Sequence, residues 1–428
     1  MAAATCERDS HGGWGLVAAR DLMAGEVVIE ERPLVAVPDA GLRQRVCADC
    51  LRLDGAVVPC AGWCGGQSSV CEGFPQCAKS HGGSRHADVC WAFGLVDAGL
   101  YPEAFELLGL VVHASFLEGG APFDALWGMS TGGNVLSPEE EQACAIVSSA
   151  LSSSSHPDEI VRRLALLRSR VTELLSRAEA AAPSGSSSAP STYPSLSILS
   201  GGGVEAGIDP VWGALVRGVC LRDKTNDFAL GCPVQPGEDP EARVMRASAV
   251  LPLISRTNHS CIPNVVRFDR FDAEACPQDS TSQLIAMVDI AQGMELTLSY
   301  LPLNNSALQG GKGRKRLSDE YGFMCACAKC RLEERAGEDE DEELEMNGDV
   351  TETPGYLYFF FLKHRCDACG GTLSPHRGRI PHLPDGVVCN RCGKVRTGPE
   401  FEALVQSEFE EDESSSKDES SSEDDPER

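Results

Sequence analysis

The sequence predicts an α+β fold: a β-rich core interrupted by a metal-binding module and a helical insert, followed by a second cysteine-bearing module. Three observations carry this. Short apolar runs of strand type stand near the N-terminus and return after residue 222. Apolar residues at helical spacing are confined to the stretch between. Most of the cysteines fall in closely spaced groups, separated by a few residues, rather than being scattered.

In chain order, residues 14–37, "WGLVAARDLMAGEVVIEERPLVAV", read as short strands around a hairpin at "MAGE". The cysteine-rich segment 47–90 interrupts this material. Over 93–118 and 158–180 the spacing predicts helices; in the second, Ile160, Leu164, Leu167, Val171 and Leu174 fall on one face, which is expected to face the core. "SSALSSSSH" and "PSGSSSAPSTYPSLSILSGGG" read as low-complexity linkers. From 223 to 305 the runs "VLPLI", "NVVRF", "QLIAMVDI" and "ELTLSY" predict small β-sheets. Boundaries are expected at 1–46, 47–90, 91–222, 223–305, 306–332, an acidic linker 333–355, a module 356–400 and an acidic disordered tail 401–428.

Cys47-x2-Cys50, Cys60-x3-Cys64, Cys71-x5-Cys77 and His86-x3-Cys90 place eight ligand-type residues in 44 positions. Closely spaced thiolates and imidazoles suit tetrahedral zinc, because a short turn lets both side chains of a pair converge on one ion; eight ligands imply two ions. Cys366-x2-Cys369 and Cys389-x2-Cys392 have the spacing of a single-zinc ribbon. Cys325-x-Cys327-x2-Cys330 supplies only three ligands. Cys261, the nearest unassigned cysteine with a chemical context, is the expected fourth. Four zinc ions are thus expected, with Cys6, Cys144, Cys220, Cys232 and Cys276 as ordinary thiols.

Of the net charge of −27, residues 333–345 contribute −8 and residues 408–428 contribute −9. Such blocks stay solvated, and the acidity argues against direct nucleic-acid binding as the main activity while leaving lysine-rich protein partners open. No apolar window of about 18 residues and no signal-peptide pattern is present, so no membrane partner is expected and a nuclear or cytoplasmic location is. "KGRKR" (312–316) reads as a solvated basic loop, with an import signal as the alternative.

The string "RTNHSCIPN" (256–264) sets polar and metal-ligating residues between apolar runs. Unpaired burial would cost roughly 2–7 kcal/mol per group, so the string must satisfy itself, hold a ligand or reach a surface.

"GWG" (13–15) with "LVAARDLMAGEVVIEE", then "RTNHSCIPN", "ELTLSY" and "YGFMCACAKC", resembles in order and spacing the SET domain of protein lysine methyltransferases. With the 47–90 segment looking like a MYND finger, the chain resembles the SET and MYND domain family over residues 10–332, and to 400 through the Cys366–Cys392 ribbon. The resemblance implies a β-rich SET fold split by a MYND-like zinc finger and a helical insert, with a post-SET zinc site and a C-terminal zinc-ribbon-like module. It implies S-adenosylmethionine as cofactor, contacted by Gly13, Trp14, Gly15, Asn226, Asn258, His259, Tyr300 and Phe323. Tyr300 and Tyr321 would form the catalytic lysine channel, and Cys261 with Cys325, Cys327 and Cys330 the post-SET zinc. The substrate would be a lysine of a histone or non-histone protein, with a peptide partner at the finger. The finger departs from the family's spacing in its second and third pairs, and the family's animal members end in a long helical repeat domain where this sequence has a linker, ribbon and tail. A more open cleft, or one roofed by the ribbon, is expected. A rival reading is a catalytically weak, zinc-braced scaffold; a nucleic-acid-binding ribbon protein is a third.

Overall fold

The computed structural model describes residues 3–8, 14–53, 57–72, 86, 89–116, 120–129, 136–180, 208–231, 244–270, 281–303, 311–338, 354–375 and 386–406. Strands β1 (Ala4–Arg8) and β2 (Trp14–Ala18) pair antiparallel, with Cys6 opposite Leu16. The "MAGE" turn does not make the expected hairpin. It carries the chain out of this sheet into another, where β3 (Val27–Glu31) pairs with a strand far downstream. Distant residues claim the turn and the residue before it: Leu22 bridges Ile290, and the Ala24 N–H donates to the Asp289 carboxylate at 2.8 Å. Next come β4 (Val35–Pro38) and the small β5 (Val57–Pro59) and β6 (Ser69–Cys71) of the finger.

The insert is helical: α1 (Pro102–Ser115), α2 (Gly120–Trp127), α3 (Pro138–Ser152), α4 (Asp158–Ala180) and α5 (Pro210–Asn226). On α4 the stripe Ile160, Leu164, Leu167, Val171 and Leu174 is buried, as the spacing predicts; each such side chain contributes roughly 1.5–3 kcal/mol of transfer free energy. The stretch read as the linker "SSALSSSSH" is in part the last turn of α3. Its Leu151 lies in the helical core, and a capping box between Ser137 and Glu140 fixes the helix start. The second serine-rich linker lies outside the described residues. Arg222 is fully buried, its guanidinium 4.1 Å from the Trp127 ring and donating to the carbonyls of Trp127 (3.0 Å) and Gly218 (2.8 Å), which locks α5 to α2.

Strands resume with β7 (Asp227–Gly231), β8 (Met245–Val250), β9 (Asn258–His259), β10 (Val265–Arg270), β11 (Thr281–Ala286) and β12 (Glu295–Leu298). They complete three sheets, ordered β4-β8-β7, β10-β11-β3 and β1-β2-β12-β9. One core packs the insert helices against Val35, Val37 and Val250; a second, around Leu16, Ile29, Ile254, Val265, Leu284 and Leu296, lies between the sheets.

Helix α6 (Lys312–Tyr321) contains "KGRKR", read as a loop. The reason lies in charge spacing: Lys315 pairs with Asp319 and Arg316 with Glu320, both four residues on, at 2.5 and 2.8 Å. Helix α7 (Ala328–Glu338) then extends into the acidic tract expected to be linker. Finally α8 (Pro354–His364) precedes a three-stranded ribbon of β13 (Leu373–Pro375), β14 (Gly386–Cys389) and β15 (Val395–Thr397), and residues 398–406 are helical where the tail was expected to begin. Among the described residues no helix is long and apolar enough to cross a membrane.

Candidate active site and metal centres

The string 256–264 is placed by Glu31. Its carboxylate, at the end of β3, accepts the N–H groups of Leu253 (2.9 Å) and Ile254 (2.8 Å), fixing the turn that leads into Arg256. Burial raises the Glu31 pKa, and these N–H donors oppose the shift. The chain then runs parallel to β12, with Asn258 beside Thr297 and His259 beside Leu298. Asn264 secures the far end, donating to the Glu295 carbonyl (2.7 Å) and accepting the Thr297 N–H (2.8 Å).

On this frame Gly15, Asn258 and Glu295 meet. The Asn258 amide donates to Glu295 Oε1 at 2.7 Å. A Cβ on residue 15 would stand 2.9 Å from Asn258 Nδ2 and 3.0 Å from Glu295 Oε1, so only glycine allows this close approach. Glu295 was not anticipated from the sequence: a lone acid in a strand carries no signal until the pairing of β12 with both β2 and β9 puts it between Gly15 and Asn258.

Close by is an aromatic cluster. The rings of Tyr300 and Tyr321 are 5.0 Å apart, Phe323 meets Tyr300 edge-on at 6.2 Å, and His259 lies 5.2 Å from Tyr300 and 6.0 Å from Phe323. Gly322, at φ 75°, ends α6 in the left-handed region, which makes the sharp bend between Tyr321 and Phe323. The Tyr300 hydroxyl donates to the Thr257 carbonyl at 2.9 Å. Burial, with Tyr321 and Glu295 nearby, pushes the Tyr300 pKa above its usual value of 10.0, so the phenol stays neutral.

His259 is occupied on both sides. Its Nδ1 accepts the Tyr300 N–H at 3.0 Å, so Nε2 carries the hydrogen and points it at Cys261 Sγ, 3.4 Å away. Both ring nitrogens are thus committed within the protein. The ring joins Tyr300 to the cysteine cluster. Asn226 ends α5, its amide donating to the Arg222 carbonyl at 2.8 Å; it precedes Asp227, which pairs with Val250 on the strand leading to the string. Trp14 opens β2, and Gly13 lies outside the described residues.

The expected partnership of Cys261 with Cys325, Cys327 and Cys330 is present: the four sulfurs lie within 4.8 Å of one another. Crowding splits their acidities. Cys325 is held far below the usual thiol range, chiefly by the Cys261 S–H, while Cys261 is driven far above it by the same contact. Neither a fully protonated nor a fully ionised set is comfortable, a donor set that a soft cation would satisfy. Cys366, Cys369, Cys389 and Cys392 form a second such tetrad, with Cys369 and Cys389 3.4 Å apart. In the finger the pairs interleave. Cys60 and Cys64 join His86 and Cys90, whereas Cys47 and Cys50 join Cys71; Cys77 lies outside the described residues. Burial raises the Cys60 thiol pKa, and the S–H of Cys90 holds Cys64 down at about 3. Asp49, within the first pair, accepts the His86 N–H at 3.2 Å and so links the two halves of the finger.

Comparison with known proteins follows the same lines. Histone-lysine N-methyltransferase ASHR2 of Arabidopsis thaliana is 30% identical over 211 residues, 42% of this chain and 51% of that protein. Histone-lysine N-methyltransferase ASHR1 of the same plant is 23% identical over 399 residues, 92% of this chain and 64% of that one. Protein-lysine N-trimethyltransferase SMYD5 of Danio rerio is 33% identical over 98 residues, 22% of each chain. The chain thus spans about half to two thirds of the two plant relatives. The solved SET domain of LSMT bound to lysine and AdoHcy aligns over 76% of this chain and 53% of that one at 12% identity with a TM-score of only 0.31, so kinship rests on sequence. The SET domain profile matches residues 13–301. That span holds Gly15, the threaded string and Tyr300, and with it the chain belongs to the SET domain family.

Proposed function

We propose that this chain is an S-adenosylmethionine-dependent protein-lysine N-methyltransferase of the SET and MYND type, acting on lysines of histone or non-histone proteins, with zinc in its four cysteine clusters. The observation that carries the reading is the meeting of Gly15, Asn258 and Glu295, with Glu295 close enough to Tyr300 to act on its ionisation. The Cβ-free backbone of Gly15 and the carboxylate of Glu295 suit a cationic cofactor, and the named activities of the plant and animal relatives point the same way.

When bound, S-adenosylmethionine supplies an electrophilic methyl group on a sulfonium. The protein's own task is to present a neutral amine in line with it. A free lysine, of pKa about 10.4, is neutral in roughly one molecule in two thousand at pH 7. The Tyr300 and Tyr321 rings form an apolar wall that disfavours the ammonium form. Because the Tyr300 hydroxyl gives its hydrogen to the Thr257 carbonyl, only its lone pairs remain for the channel. Tyr300 can therefore accept an amine N–H and aim the nitrogen lone pair, but it supplies no proton. Calorimetric titration of the zinc-loaded protein with S-adenosylhomocysteine, followed by methylation of a lysine-rich protein, tests this. Absence of binding would favour the scaffold reading instead.

A further inference from the structure

The C-terminal ribbon lies outside the matched SET span, yet it grips the core at two points. The first is Asn390, which sits in the knuckle between Cys389 and Cys392. Its Oδ1 accepts the Thr372 N–H at 2.9 Å inside the ribbon, while its Nδ2 donates to the Arg267 carbonyl of β10 at 3.0 Å. β10 continues directly from Asn264, whose side chain holds β12 at Glu295 and Thr297. Arg267 also stacks on Phe228 at 4.5 Å and donates to the Ala229 carbonyl at 3.0 Å, so the same strand is tied to β7.

The second grip is α8. Phe360 is buried with Val266, Ile285 and Met287 on the β10–β11 sheet, and Phe361 packs against the Cys261 cluster alongside Tyr300 and Phe323. The ribbon holds the end of this helix. Arg396 of β15 donates to the carbonyls of Leu362 (2.8 Å) and Arg365 (3.0 Å), and the buried His364 pairs through Nδ1 with the Leu373 carbonyl at 3.0 Å. Both grips flank one cysteine tetrad: Asn390 lies between Cys389 and Cys392, and the bonds of Arg396 and His364 hold the segment 362–373 that carries Cys366 and Cys369.

For its functional consequence resting on the transferase reading, we infer that the Cys366–Cys369–Cys389–Cys392 centre is a metal-dependent brace of the transferase site, acting through Asn390 on β10 and through α8 on the Tyr300 cluster. Asn390 is a positioning residue: it touches neither reacting group, and its carbonyl partner lies on the strand that follows the Asn258 string.

Asn390→Asp separates the two bonds of this side chain. Aspartate keeps the acceptor for Thr372 and loses the donor for Arg267, so the ribbon and its metal are retained while the bridge is cut. Native mass spectrometry should give the same metal count for the full-length variant as for wild type. Amide exchange over residues 258–270 and 295–300, measured without cofactor, should accelerate about tenfold or more. S-adenosylhomocysteine affinity should fall about tenfold, the lower end of the effect of removing an outer-shell partner of a metal site. In turnover, kcat should drop with KM for the protein substrate unchanged. Cys389→Ser should lose one ion and give the same exchange signature, whereas Lys394→Ala, which breaks only the surface pair with Asp367, should give neither. Wild-type exchange over 258–270 in both Asn390→Asp and the ion-depleted Cys389→Ser would overturn the brace. That comparison is read without cofactor, so it decides the coupling even where failure of wild type to bind S-adenosylhomocysteine overturns the transferase reading.

Discussion

Tyr300 gives its one hydroxyl hydrogen to the Thr257 carbonyl, and that commitment defines what it can contribute. Tyr300→Phe should leave S-adenosylhomocysteine affinity within about twofold of wild type while single-turnover methylation falls on the order of tenfold or more, because the ring remains and the orienting oxygen is lost. The pH profile follows from the same environment. Tyr300 has its pKa raised above 10.0 by burial, Tyr321 and Glu295, so it holds its proton at every pH below that value. Turnover should climb with pH as the substrate amine deprotonates; a falling limb below pH 10 that disappears in Tyr300→Phe would contradict the assignment. Gly15→Ala would set a methyl 2.9 Å from Asn258 Nδ2 and 3.0 Å from Glu295 Oε1. Displacing these side-chain ends should weaken S-adenosylhomocysteine about tenfold by calorimetry with little change in melting temperature. At this scale Gly15, Asn258 and Tyr300 are legible as candidates because each sits in a short motif. Glu295 and Glu31 were not, since their partners lie 37 and more than 200 residues away and no local pattern announces such a pairing.

Helix α3 shows how composition misleads where capping decides. The serines of "SSALSSSSH" have indifferent helix propensity, yet Ser137 and Glu140 satisfy two backbone N–H groups reciprocally, and Val147 and Leu151 are buried. Ser137→Ala should therefore cost about 1 kcal/mol in urea denaturation; an unchanged midpoint would show that burial alone holds the helix. The basic run 312–316 is helical for a related reason, two of its charges being matched by acids four residues along α6. The long amphipathic helix α4 was legible from its stripe alone, and so were β10, β11 and β12, whose apolar runs are buried. What stayed hidden was pairing: whether two neighbouring strands share a sheet depends on partners elsewhere, as the parting of β2 from β3 shows.

Across the whole molecule, cysteine spacing proved the most transferable signal, because a pair two or three residues apart converges through local geometry whatever surrounds it. Even the long-range link of Cys261 to residues 325–330 emerged from counting ligands, whereas the interleaving within the finger did not, since either pairing of its knuckles satisfies the count. Native mass spectrometry of the purified protein should show four bound zinc ions, and chelation should unfold the finger and ribbon as metal is lost; two ions or fewer would defeat the assignment. The placement of β2 between β1 and β12 has a consequence for how the chain is made. Leu16 meets Leu296, so about 280 residues must leave the ribosome before β2 gains its second neighbour. At about 5–20 residues per second this takes roughly 15–55 s. Throughout that interval a nascent strand edge stands open to adventitious pairing, while the finger and the helical insert, encoded in between, have time to fold. The sheet that joins β2 to β12 is thus closed only after the finger and the insert have been made, and its biogenesis should draw on chaperones that shield strand edges more than a chain of local contacts would.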